Sequence, residues 1–207
     1  VLEKLDLANE SIIHCGHSNG GVVGIGFAAK HPEKVKGLVL LDAVCLPVTK
    51  PLVARVADLP LLGDFIVQKM GAKTFNKFAH ASCADPDSNE EVKEYLAKQS
   101  RNTLENPRFF AAVRSTNAYC LGFAGTAEPL YRQCCEAKVP IQLIWGKADT
   151  SVPYSSCVKL HEIAKECETV VAEEAFDGMP HNVFFADAKP QECSDSVCAF
   201  VEKIKGM

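Results

Sequence analysis

The 207 residues are 47% hydrophobic and 23% charged, with a formal charge of -4. That balance describes a globular domain with a sizeable core. It excludes the Lys/Arg blocks of a nucleic-acid footprint, and no stretch approaches the roughly 18 apolar residues of a membrane-spanning helix.

The sequence opens at Val1 in the amphipathic "LEKLDLANE" and reads as a piece of a longer chain. "SIIHC" (11–15) is short, apolar and bounded by Gly16, which predicts a buried strand. "GGVVGIGFAAK" (20–30) is a helix of small residues able to lie close to a sheet, ended by His31-Pro32. "GLVLLDA" (37–43) predicts a second strand, giving a strand–helix–strand unit with a right-handed crossover. From 46 to 137 the spacing turns helical, in "PLVARVADLPLLGDFIVQKM", "SNEEVKEYLAKQSRNTL" and "PRFFAAVRSTNAYCL". Strand and helix then alternate again through "VPIQLIWG" (139–146), "YSSCVKLHEIAKEC" (154–167), "TVVAEEA" (169–175) and "PQECSDSVCAFVEKIK" (190–205), with Pro190 near a first turn. The expected architecture is an α/β core over 1–45 and 138–207, interrupted by a helical insertion over 46–137.

Gly16-His17-Ser18-Asn19-Gly20 fits G-x-S-x-G between a predicted strand and a predicted helix. A strand-to-helix turn this sharp projects the Ser18 hydroxyl at the carboxyl edge of the sheet. Gly16 and Gly20 are read as the positions where side chains would collide. The Asn19 N–H, at a helix N-terminus, points toward a developing oxyanion. A serine hydroxyl needs a base oriented by a third group. "LIWGKADTSVP" places Asp149 just past one strand, and "DGMPHNVF" places His181 after the next. Ser, Asp and His thus arrive in order from successive strand ends. Asp42, ending "GLVLLD", is the rival acid.

The remaining histidines read as structural. His17 is given a packing role because adjacent residues on such a turn point apart. His14 reads as a core histidine, and His31, His80 and His161 as helix-end or surface residues. Asp187 is placed near a helix cap. The ten cysteines are irregularly spaced, with no CxxC and one vicinal pair, Cys134-Cys135. They read as mostly free thiols of a reducing compartment, which favours the cytoplasm. "HCGH" has no second ligand cluster, so neither metal nor cofactor is expected.

Taken together, "GHSNGG", "HPEKVKGLVLLDA", "VPIQLIWGKADTSVP" and "PHNVFFADAKPQE" resemble the α/β-hydrolase superfamily, in its capped esterase/lipase-like branch. The resemblance implies a mostly parallel sheet with an inserted α-helical cap. It also implies that the first strands, and the loop giving a second oxyanion N–H, precede Val1. An isolated 207-residue piece is then expected to be poorly stable and nearly inactive. The implied function is a serine hydrolase acting on a moderately hydrophobic small-molecule ester, with no cofactor. The same triad also serves carbon–carbon bond hydrolases, thioesterases and aminopeptidases, and some members only bind ligands. Epoxide hydrolases and haloalkane dehalogenases carry Asp at the elbow, so Ser18 argues against both. The histidine stretch departs from the family's Gly-His, with Pro180 preceding His181.

Overall fold

The computed structural model describes residues 4, 6–7, 9–47, 62–106, 108–116 and 122–206; for 62–69, 114 and 122–126 it describes the backbone alone. The predicted helical stretch at 51–61 and the end of "PRFFAAVRSTNAYCL" at 117–121 lie outside the described residues.

Four strands form one parallel sheet in sequence order: β1 (Ile12–His17), β2 (Val35–Leu41), β3 (Ile141–Gly146) and β4 (Val171–Phe176). Each lies within two residues of its predicted bounds at either end. Every connection crosses over through helix, as parallel pairing requires. Helix α1 (Asn19–Lys30) joins β1 to β2. Helices α2 (Leu62–Ala81), α3 (Glu90–Glu105), α4 (Phe109–Thr116) and α5 (Gly122–Glu136) lie between β2 and β3. Helix α6 (Tyr154–Glu166) joins β3 to β4, and α7 (Pro190–Lys205) follows β4.

The apolar run at 38–41 of β2 reflects burial on both faces. Leu38 and Leu40 enter one core with Ile25 of α1, Tyr131 of α5 and Leu160 of α6. Val39 and Leu41 enter a second core with Cys193 and Phe200 of α7. The apolar stripe of α7, Cys193-Val197-Phe200-Ile204, falls at the spacing of one helical face. The small residues of α1 permit close approach. A Cβ on Gly21 would stand 2.3 Å from Ala43 Cβ, and one on Gly24 only 2.1 Å from the His14 ring.

The insertion differs from its expected extent at one end. Helix α5 contributes Ala127, Tyr131, Cys134 and Cys135 to the main core, with the Tyr131 hydroxyl donating to the Leu160 carbonyl at 3.1 Å. Residues 122–136 therefore belong to the sheet's helical layer, and the expected 46–137 span is too long. Vicinal Cys134-Cys135 and Ala127 are the apolar stripe of a core helix, which the span's changed composition hides. Helices α2, α3 and α4 instead pack on one another, through Phe75 on Phe109 (ring centroids 5.0 Å) and Asn76 Nδ2 donating to Ser100 Oγ at 2.9 Å. Among the described residues no helix is long and apolar enough to cross a membrane. The nine described cysteines are free, six of them buried.

Candidate active site

Ser18 stands between β1 and α1 with φ 52° and ψ -119°, in backbone space that side chains rarely occupy. Three hydrogen bonds hold it there. Its N–H donates to Leu41 O at 2.9 Å, and its carbonyl accepts from Gly21 N–H at 3.1 Å and Val44 N–H at 3.0 Å. The turn after β2 thus grips the elbow from both sides. A Cβ on Gly16 would lie 2.5 Å from the Gly20 carbonyl oxygen, so this position admits only glycine. Gly20 is different. A Cβ there meets nothing within 4 Å, which corrects the expectation that both motif glycines avoid collisions. The second crowded position is Gly21, facing Ala43, because α1 turns its next residue toward β2. Asn19 opens α1, where the first-turn N–H groups have no intrahelical partner.

The other two predicted residues meet at the carboxyl ends of β3 and β4. His181 Nδ1 lies 2.7 Å from Asp149 Oδ2, with both side chains almost fully buried. The carboxylate can only accept, so Nδ1 carries the proton and Nε2 keeps its lone pair. Asp149 is itself held: Oδ1 accepts from Ser151 N–H at 2.6 Å and Val152 N–H at 3.0 Å. The acid and histidine loops touch at Gly146, where a Cβ would stand 2.3 Å from the Pro180 carbonyl oxygen. Among the described residues the Ser18 hydroxyl makes no hydrogen bond to His181, so the acid and base are in contact without it.

His17 links the two halves. Its Nε2 lies 3.0 Å from the His181 carbonyl oxygen, and the two rings are 4.6 Å apart. A carbonyl cannot donate, so Nε2 carries the proton. Burial lowers the His17 pKa to about 4, helped by the charge of His181 and opposed by that hydrogen bond and by Asp149. His17 does pack, as expected, but against the very histidine that would serve as the base. Adjacency to Ser18 conceals this, since the contact comes from a loop 164 residues away.

Asp42 is fully buried at φ 43° in the turn that grips the elbow. Its Oδ1 accepts from Gly146 N–H at 2.9 Å, whereas its Oδ2 is buried without a hydrogen-bond partner. Burial raises its pKa to about 8 against the pull of the Gly146 N–H; the charge of Asp149 adds to the rise and the Val183 N–H offsets part of it. A carboxyl oxygen of Asp42 and ring nitrogens of His17 and His181 lie within 4.8 Å of one another. Each imidazole has one nitrogen committed elsewhere, to Asp149 or to the His181 carbonyl, which makes a poor metal set.

Residues of the insertion also reach the site. Half-exposed Phe78 of α2 places its ring 6.2 Å from His181. Asn182 N–H donates to Ser82 O at 2.9 Å, and Tyr95 of α3 stacks edge-on against Phe185 at 4.9 Å. Asp187 accepts from Asp85 N–H at 2.7 Å, a tie between segments where a cap role was expected. Nothing in sequence spacing marks Phe78 or Ser82, because α2 meets the histidine loop only in three dimensions. A cavity of about 400 Å³ beside β1 and α7, lined among others by Cys15, Phe184 and Cys198, shares His17 with the site. The other histidines lie outside this centre: His14 Nε2 contacts the Gly20 carbonyl, His80 pairs with Asp87, His161 with Glu173, and His31 sits near Glu33.

A parallel sheet, helices on both faces and a strained serine at the first crossover define the α/β-hydrolase fold. The chain belongs to the hydrolase family described as serine aminopeptidase, S33, whose model matches residues 3–187. It is 26% identical over 201 residues to a cis-3-alkyl-4-alkyloxetan-2-one decarboxylase of Shewanella oneidensis, covering 86% of this chain and 59% of that protein. The chain thus spans about three-fifths of that relative's length. Its structure resembles a 2-hydroxy-6-oxo-6-phenylhexa-2,4-dienoate hydrolase of Rhodococcus sp. strain RHA1 (TM-score 0.70, 16% identity, 97% of this chain and 68% of that one). It also resembles the esterase RhEst1 of Rhodococcus sp. ECU1013 (TM-score 0.65, 17% identity, 99% and 70%).

Proposed function

We propose that this protein is a serine hydrolase that cleaves an ester-type bond through an acyl-enzyme. The observation that carries the reading is the buried Asp149–His181 pair, with its free Nε2, at the same sheet edge as the strained Ser18. Ser18 Oγ attacks the carbonyl carbon while His181 Nε2 takes its proton. His181 then returns the proton to the departing alkoxide, leaving an acyl-serine. Water repeats the sequence and releases the acid. Asp149 fixes the tautomer and stabilises the imidazolium. The Asn19 N–H, heading α1, supports the oxyanion. Catalytic hydrogen bonds often tighten only on substrate binding, which is where the Ser18–His181 contact is completed.

Helices α2–α4 act as a cap, with Phe78 as an apolar wall beside the base. Such a wall suits a moderately hydrophobic acyl or alcohol group. The Shewanella relative's name specifies an oxetan-2-one, a cyclic ester, so a lactone is a natural substrate to try beside p-nitrophenyl esters.

Treatment with a fluorophosphonate probe tests the reading. Wild type should be labelled at Ser18, and Ser18→Ala should lose all labelling. A folded wild-type chain that stays unlabelled and turns over no ester would replace the hydrolytic reading with a binding one.

A further inference from the structure

We propose that the segment ending α2 is a positioning element for the base. It and His17 hold opposite ends of the peptide group joining His181 to Asn182, so the imidazole is aimed only while α2 is docked on its loop. The inference rests on the reading of His181 as the base.

One peptide group carries both contacts. Its oxygen, the His181 carbonyl, accepts the His17 Nε2–H at 3.0 Å. Its nitrogen, that of Asn182, donates to the Ser82 carbonyl at 2.9 Å. In a planar trans peptide the C=O and N–H point opposite ways, so two such bonds fix the tilt of the plane. The Cα of His181 lies in that plane, and a rotation of the plane swings the ring. Asp149 holds the ring at Nδ1 and sets its tautomer, but it does not hold the backbone from which the ring hangs. The two grips come from different parts of the chain. His17 is the residue before the nucleophile, and Ser82 follows α2 in the insertion.

The Ser82 carbonyl is itself held in place. The Ser82 N–H and hydroxyl both donate to the Phe78 carbonyl, at 3.0 and 2.9 Å. Cys83 Sγ donates to the Ala79 carbonyl at 3.4 Å and accepts from Asn182 Nδ2 at 3.8 Å. Ser82, Cys83 and Asn182 are all buried, so water does not readily take over their bonds. A wall that only enclosed substrate explains the ring of Phe78 beside His181, but it gives no reason for a bond to the backbone of the base. Docking alone is met further along the loop, where Tyr95 packs on Phe185 and Asp187 accepts the Asp85 N–H.

The test is proton exchange followed by NMR in wild type, Asp187→Ala and His17→Phe. Two protons are read: Asn182 N–H, bonded to Ser82, and His181 Nδ1–H, bonded to Asp149. Asp187→Ala frees the Asp85 N–H and loosens the docked segment without touching the base. Both protons should then exchange faster together, by about tenfold or more. A faster Asn182 N–H with His181 Nδ1–H unchanged would overturn the proposal. Should Asp187→Ala leave the segment docked, His17→Phe decides, because it removes the opposite grip and keeps a ring in place. Asn182 N–H exchange as slow there as in wild type would overturn the proposal. These readouts need no turnover, so absent Ser18 labelling sinks the hydrolase reading and leaves the positioning role separately decided. Where esters are turned over, the variant with faster exchange should lose about tenfold or more in kcat with KM within about twofold. His17→Gln, which keeps a donor for the His181 carbonyl, should recover most of the loss seen in His17→Phe. A raised KM with kcat unchanged would mean that α2 only encloses substrate, and the positioning role would fall.

Discussion

The turns that follow β2 and β3 carry the same functional group and treat it in opposite ways. After β3, Asp149 sits among three donors. After β2, Asp42 has one close donor, the Gly146 N–H, with the Val183 N–H adding a weaker pull. Both are buried, so depth alone does not decide which acid serves the histidine. The count of N–H groups aimed at each carboxyl does, because every hydrogen bond to the charged form lowers the cost of burying it.

The largest effect expected from this difference is on turnover. Replacing Asp149 by Asn removes the group that fixes the His181 tautomer, a change worth about 10⁴ in a well-studied serine protease triad. The same substitution here should cost about 10³ to 10⁴ in kcat. Asp42→Asn should cost less than about tenfold. Steady-state kinetics on one ester decides this, and equal losses from the two substitutions would erase the distinction between the turns.

The two turns are joined through Gly146, whose N–H reaches Asp42 and whose missing Cβ admits the Pro180 and Met179 carbonyls. Gly146→Ala should therefore force the acid and histidine loops apart and destabilise the fold by about 1–3 kcal/mol, as overpacking does. Gly20→Ala, with open space at its Cβ, supplies the control and should shift the melting midpoint little. Thermal melts of both variants give the comparison. A Gly146→Ala protein as stable as Gly20→Ala would mean the loops are looser than their contacts imply.

Much of this centre is legible in the amino-acid sequence alone. Ser18, Asp149 and His181 are picked out as candidates because each follows a predicted strand, and strand ends are readable from periodicity. The Gly16 constraint follows from the sharpness of the elbow. The rest is created by three-dimensional packing, which leaves no mark on spacing. Gly20 looks obligatory because the motif is symmetric, but the helix that begins at Asn19 carries Gly20 into open space and turns Gly21 onto Ala43. His17 looks turned away from the chemistry, yet the loop after β4 passes against it. Helix α5 looks like insertion because composition changes at 46, although its Tyr131 and Cys134 are core residues. The orphaned oxygen of Asp42 has no sequence signature at all.

The smallest effect is the most diagnostic, since it separates Asp42 from His17 by pH. Asp42 has a folded pKa of about 8 against an ordinary 3.8. Between those values the folded chain keeps a proton that the unfolded chain releases, so this group makes stability fall as pH rises. His17 has a folded pKa of about 4 against an ordinary 6.5, so between those values the unfolded chain holds the extra proton and stability rises with pH. The two slopes are opposed and nearly cancel from about pH 4 to 6.5. Above 6.5 Asp42 acts alone, up to about 8. At about 1.4 kcal/mol per unit, wild type should lose about 2 kcal/mol relative to Asp42→Asn over that window. Below 6.5 the variant should instead show the uncovered His17 slope, losing stability as the solution is acidified. Denaturant unfolding of both proteins at half-unit steps measures the difference directly. Parallel profiles from 6.5 to 8 would mean that Asp42 is already ionised in the folded chain, and that the turn after β2 finds donors for it after all.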